Sequence, residues 1–354
     1  MTDMTAKREI RIIGSTPTRT AGETGERFIG RFNAAVGWAD RAGWTSALIY
    51  TSNNALDPWL LAQLLVLNTG SLRPLVAIQP IYSHPFTVAN QLASLAALHG
   101  RGVDLNFVAG DHPRDRESLN DAVPHDERYA RLGEYGRIVK ELLGSPRPVS
   151  FAGRYYAVKN LQLVQRPSAS IRTGFLMSGS SEAARDVARA LGACAIQYPE
   201  APGAASHRAT EPGLERGVRL GIIARSTDAE AWDVANRRFP ADPDGAAIRE
   251  YASGVSDSRW VKTLLDASAQ IRSGVYWLGP FKHFQRSCPY LVGSHAAVGA
   301  VLADYVSAGY RTFLIDSLET EEEAHAITDL FGAIRRGEED GEGPDVDIGG
   351  KGGN

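Results

Sequence analysis

Four short stretches hold residues whose types and spacing could do chemistry. Val103, Leu105 and Phe107 alternate with Asp104, Asn106 and Val108, a period-2 pattern that predicts a strand with an amide on an interior face. A buried amide needs partners. Ala109-Gly110 then ends the strand, and an irregular polar loop leads to a helical pattern from His125 to Leu143. His125 and Tyr129 are four residues apart and share one face of that helix. Met177 to Arg185 reads as a strand running through Gly179, Ser180 and Ser181 straight into a helix. Free backbone N-H groups and two hydroxyls at a helix start favour a phosphate, although an ordinary serine N-cap would have the same sequence. Arg219 lies inside an apolar strand pattern, where a charge must be paired or must face a polar cavity. A salt bridge to an unidentified carboxylate and an anion site both remain open.

The elements that must position these residues alternate regularly. Glu9 to Ser15, Ser46 to Thr51, Pro74 to Gln79, Val103 to Val108, the strand ahead of Gly179, Ala193 to Tyr198, Val218 to Ala224 and Tyr310 to Asp316 all read as strands. Helical patterns intervene at Arg27 to Gly43, Pro58 to Leu67, His84 to Leu98, His125 to Leu143, Asp228 to Arg238 and Ala296 to Ala308. Short apolar strands alternating with amphipathic helices predict an α/β fold, a (β/α)8 TIM barrel, with the site at the C-terminal ends of the strands. Residues 1–336 are expected to form one such domain. It carries an inserted hairpin at about 147–163, around a glycine turn, and an excursion over the barrel mouth at about 242–292. Residues 337–354, rich in glycine and acids, are expected to be disordered.

Composition narrows the function. The 354 residues carry a net charge of -3 with no dense basic cluster, which argues against nucleic acid as the main partner. The longest apolar run, Trp59 to Leu67, is too short to span a membrane. The N-terminus lacks the pattern of a signal peptide. Two cysteines, Cys194 and Cys288, have neither metal-ligand spacing nor a disulfide framework, so the expectation is a cytoplasmic protein with no metal.

Five ordered motifs, Pro74 to Pro80, His84 to Ala89, Leu105 to Gly110, His125 to Tyr129 and Gly179 to Ser181, resemble those of the luciferase-like flavin monooxygenases. The nearest likeness is to the alkanesulfonate monooxygenase branch, and the resemblance runs from about Glu9 to Gly332. It implies a bacterial luciferase-like barrel that uses reduced FMN, delivered by a separate NAD(P)H flavin reductase, and O2 as co-substrate to oxygenate a small organic molecule. It also implies a homodimer or homotetramer. By the same resemblance Thr51, Asn106 and Ala109 lie beside the flavin, His125 and Tyr129 hold its tail, and Gly179, Ser180 and Ser181 bind its phosphate. Arg219 matches the strand arginine that faces substrate, and Lys282 to Arg286 resembles a mobile lid whose arginine is Arg286.

The departures fall in the substrate half. Ala55, Gly221 and Leu318 stand where the sulfonate enzymes carry cysteine, histidine and tyrosine, so a simple alkanesulfonate is not the expected substrate. Tyr198, Tyr50, His283 and Arg286 are the candidates to replace the lost proton donors or charge. Two other functions remain open: a flavin-binding protein with altered catalysis, and a deazaflavin-dependent oxidoreductase on the same barrel.

Overall fold

The structure is a computed structural model that describes residues 9–110, 113–168, 170–202, 211–255, 259–267 and 271–340. Chain order begins β1 (Arg11–Ser15), α1 (Gly25–Arg41), β2 (Ser46–Ile49), α2 (Pro58–Asn68), β3 (Arg73–Ile78), α3 (Pro85–His99) and β4 (Asp104–Val108). Local signals set these boundaries. Thr24 and Asp57 accept hydrogen bonds from the first turns of α1 and α2, and Gly100 ends α3 in the left-handed conformation.

Next come α4 (Pro113–Ser118), α5 (His125–Gly144), the pair β5 (Val149–Ala152) and β6 (Ala157–Leu161), then β7 (Phe175–Ser178), α6 (Glu182–Leu191), β8 (Cys194–Gln197) and β9 (Arg216–Arg225). The strands β1, β2, β3, β4, β7 and β8 pair in parallel in that order. The ring closes through β8 to β9, β9 to β13 (Thr312–Ile315) and β13 to β1. These are the eight strands expected from the sequence. Alternation along each strand separates two cores: Ile13, Leu48, Leu75, Leu176, Ile196 and Leu314 pack inside the barrel, whereas Ile12, Ile49, Val76 and Phe313 pack outward against the helices. β5 and β6 form the expected antiparallel hairpin.

The excursion is more structured than its sequence suggests. After α7 (Asp228–Arg238) come α8 (Pro243–Val255) and α9 (Arg259–Ala267), then β10 (Arg272–Ser273), β11 (Tyr276–Trp277), the turn α10 (Gly279–Lys282) and β12 (Tyr290–Ser294). β9 is ten residues long, so its first half serves the barrel while its second half pairs in parallel with β12. β11 lies antiparallel to β12, and Tyr276, Trp277 and Phe281 are buried. The excursion therefore holds two helices and a small sheet that extends β9, and Lys282 to Arg286 lie at the end of α10 and in the segment that leads to β12. The polar loop expected before α5 contains α4. α11 (His295–Ser307) is followed, after β13, by α12 (Glu321–Asp340), a helix that the sequence reading missed. The expected disordered tail is corrected at its start, because Gly337 to Asp340 belong to α12; residues 341–354 lie outside the described residues.

Candidate functional site

At the C-terminal end of the barrel the strand ends enclose a cavity of about 390 Å³, the size range of small-molecule sites. Thr51, Asn106, Ala109, His125, Tyr129, Gly179, Ser180, Ser181, Tyr198 and Arg219 all line it. These residues are far apart in the chain, and the strand register brings them together. Pairing of Asn106 with Leu176 and of Val108 with Ser178 sets the end of β4 beside the end of β7. The Ser178 hydroxyl then donates to the Asn106 side-chain oxygen at 3.1 Å, which settles the partner of the buried amide.

The β4/β7 side of the cavity is built to attract an anion. Ser181 caps α6 by accepting from the Ala184 amide at 3.2 Å, so the N-cap expectation holds. Its hydroxyl proton is still available, so capping does not exclude a phosphate. α5 follows Pro124, which makes no side-chain cap hydrogen bond, and His125, Arg128 and Tyr129 near its start face the same space. Two helix N-termini thus converge on one wall. Gly179 is shaped to this contact. A Cβ there would stand 2.5 Å from the Tyr129 hydroxyl and 2.9 Å from Ala184, and its φ of +150° suits glycine. The ring of Tyr129 meets that of His125 edge-on at 5.2 Å. Arg128 was missed in the sequence. It is 2% exposed, lines the cavity and anchors one guanidinium nitrogen on the Val123 carbonyl at 3.3 Å. Its spacing was the available signal, since positions 125, 128 and 129 share one helical face.

The opposite side, where β9, β13 and β2 end, is organised by Arg219. Its Nη2 donates to the Tyr50 hydroxyl at 2.7 Å and to Asp316 Oδ1 at 3.0 Å. The salt bridge left open by the sequence therefore exists, and Asp316, at the end of β13, is its carboxylate. Tyr290 donates its hydroxyl to Asp316 Oδ2 at 2.9 Å, and Arg286 Nε lies 3.4 Å from the same oxygen. Burial pushes the Tyr50 phenol up to about 12 and that of Tyr290 upward as well, the nearby Asp316 charge adding to both. Both stay protonated near neutrality.

Arg286 does not line the cavity; it reaches the site through Asp316. His283 is engaged by the backbone, with Nδ1 at 2.9 Å from the Asp242 amide. Neither Ala55 nor Leu318 contacts the cavity. Gly221 pairs with Tyr290 across β9 and β12, and that tyrosine takes up the space a side chain at 221 would need. Among the described residues there is no cluster of three or more potential metal ligands, and no helix long and apolar enough to cross a membrane.

Comparison with known proteins places the architecture. A family model described as luciferase-like monooxygenase matches residues 10–312. The chain is 28% identical over 295 residues to 4-(gamma-L-glutamylamino)butanoyl-[BtrI acyl-carrier protein] monooxygenase BtrO of Niallia circulans, covering 80% of this chain and 85% of that one. Among solved structures, the EDTA monooxygenase EmoA of Chelativorans sp. BNC1 superposes with a TM-score of 0.68 at 17% identity, over 95% of both chains. An F420-dependent secondary alcohol dehydrogenase superposes with a TM-score of 0.64 at 15% identity, over 93% of this chain and 100% of that one. The likeness is thus to the family rather than specifically to its alkanesulfonate branch.

Proposed function

The chain belongs to the luciferase-like monooxygenase family, and from that premise we propose that it is a two-component FMN-dependent monooxygenase. The observation that carries the cofactor assignment is the convergence of His125, Arg128, Tyr129, Gly179, Ser180 and Ser181 on one wall of the cavity. Two helix N-termini, a buried guanidinium and three hydroxyls suit a dianionic phosphate, and the Gly179 cradle leaves room for it. The donor set therefore fits FMN. Bound in reduced form, FMN would supply two electrons, so that O2 gives one oxygen atom to substrate and one to water.

The chain's own residues bind, orient and shield. Thr51, Asn106 and Ala109 would flank the ring system from the strand ends. Arg219 and Tyr198 line the part of the cavity left for substrate, and Arg219 is held there by Tyr50 and Asp316. Arg286 acts at one remove by bracing Asp316. The small sheet of β10, β11 and β12, which extends β9 beyond Arg219, would limit the entry of water from that side. In this reading the substrate is a small organic molecule, not a simple alkanesulfonate. The carrier-linked substrate in the name of the Niallia circulans relative adds acyl groups on a carrier protein to the candidates.

The reduced flavin would come from a separate flavin reductase, and two free, buried cysteines suit a reducing cytoplasm. A homodimer or larger homo-oligomer is supported by α2, which has no charged residue and exposes Leu60 and Leu67.

The test is oxygen uptake with photoreduced FMN, with a deazaflavin in parallel, followed by a product-mass screen over ketones, amides, amines, sulfonates and carrier thioesters. A gain of 16 mass units in one class, dependent on FMN, is expected. Turnover with the deazaflavin alone, or flavin binding without any oxygenated product, would overturn the proposal.

A further inference from the structure

On the reading just given, substrate meets the part of the cavity lined by Arg219, and an arginine there would ordinarily mark a receptor for an anion. The surroundings of this arginine argue otherwise. Its charge is already matched, because Asp316 Oδ1 lies 3.0 Å from Nη2 and the carboxylate is 5% exposed. The second cation nearby, Arg286, is drawn to the other oxygen of Asp316 and toward Glu319 at 4.0 Å. Two guanidiniums and two carboxylates leave the cluster without net charge.

The remaining groups add none. Burial raises the Cys288 thiol far above its ordinary value, and the phenols of Tyr50 and Tyr290 are raised too, so all three stay neutral. The hydrogen-bonding capacity of Arg219 is not exhausted, however. Both of its hydrogen bonds to side-chain oxygens leave from Nη2, while its side chain, 16% exposed, lines the cavity. A guanidinium has five N-H donors. The geometry therefore keeps donors in the cavity while cancelling the charge behind them.

We infer that Asp316 makes the substrate end of the cavity a receptor for an uncharged hydrogen-bond acceptor, a carbonyl or amide oxygen, and excludes carboxylates and sulfonates. An anion docked on Arg219 would approach the carboxylate in a poorly screened interior, and such like-charge juxtaposition is how binding sites reject wrong ligands. Tyr290 is a positioning residue for this device. Its hydroxyl fixes Oδ2, which aims Oδ1 at Arg219. Gly221 gives its ring the room to do so.

The test compares octanamide with octanesulfonate, ligands of similar length and different charge, by calorimetric titration of the FMN-loaded protein. The wild type is expected to bind octanamide about tenfold or more tightly than octanesulfonate, the scale of a charge-based rejection. Asp316→Asn should shrink or invert that ratio by a similar factor while the affinity for FMN stays nearly unchanged. A purely structural role for Asp316 would weaken both ligands together. Tighter or equal binding of octanesulfonate by the wild type, no binding of octanamide, or an unmoved ratio in a folded Asp316→Asn protein would each overturn the inference. If the variant does not fold, the wild-type ratio alone decides. Failure of FMN to bind counts instead against the proposed function, and the ligand ratio can then be read on the flavin-free protein.

Discussion

A Cβ at Gly221 would lie 2.2 Å from the ring of Tyr290, so the glycine and the tyrosine form two halves of one fit. They stand opposite each other across β9 and β12, the ring is 1% exposed, and its hydroxyl reaches Asp316. The space a larger residue at 221 would fill belongs here to an aromatic side chain that enters from the excursion. Changing one half should therefore be tolerated only if the other changes with it.

Gly221→Ala is expected to lower stability by about 1–3 kcal/mol or more, through overpacking against an immobile ring. In a Tyr290→Ala background the same substitution should cost much less, because the clash is gone. Urea unfolding of the four proteins in this cycle measures the coupling. An equal cost in both backgrounds would show that the two residues do not share the space.

Ser180→Ala should weaken FMN more than riboflavin, since only FMN carries the charge that this wall attracts. Ser181→Ala is the less clean probe, because its hydroxyl caps α6 and losing it costs about 1 kcal/mol of stability. Tyr129→Phe should act in the same direction as Ser180→Ala through one lost hydroxyl bond, worth about 1 kcal/mol. Fluorescence titration with both flavins provides the comparison. Equal losses for FMN and riboflavin would remove the phosphate from this wall.

α12 is tied to the barrel by a buried carboxylate whose titration sets an acid limit on stability. Glu323 Oε1 accepts from Arg225 at 2.7 Å and from Arg238 at 2.6 Å. Burial alone would raise its pKa, but the two arginines and the Glu319 amide outweigh burial and hold it below the ordinary 4.5. The unfolded chain therefore takes up this proton first. The stabilisation is complete above that ordinary value and fades as pH falls through the lower folded value. Glu323→Gln should cost about 1–3 kcal/mol at neutral pH, since two partly buried guanidiniums lose the counter-charge of a buried carboxylate. It should also flatten the dependence of unfolding free energy on pH in the acid range. Parallel acid limbs for the two proteins would refute this.

The exposed face of α2 gives a prediction about assembly. Leu60 is 70% exposed and Leu67 64%, and neighbouring α3 exposes Leu98 at 73%. Light scattering on a sizing column should find the wild type at a dimer mass or above. Leu60→Lys combined with Leu67→Lys should shift the protein to the monomer while keeping its helical circular dichroism. A monomeric wild type would leave these leucines without the proposed cover.

The sequence by itself determined the barrel and one wall of the cavity, because both depend on short-range rules. The strand-helix repeat is a local periodicity, the pair His125 and Tyr129 follows from helical spacing, and the turn at Gly179 to Ser181 is one strand end running into one helix. The other wall was not legible. Arg219 was read as either an anion receptor or half of a salt bridge, and its partner Asp316 is 97 residues away. Tyr290 was hidden in an excursion whose strands are two to five residues long, too short to show a period. Only the tertiary structure joined the end of β13 to β9 and β12, and with that junction it decided how the charge of Arg219 is spent. A side chain's type states the charge it can carry. Whether that charge reaches a ligand is set by the long-range neighbours that pairing and closure of the sheet bring against it.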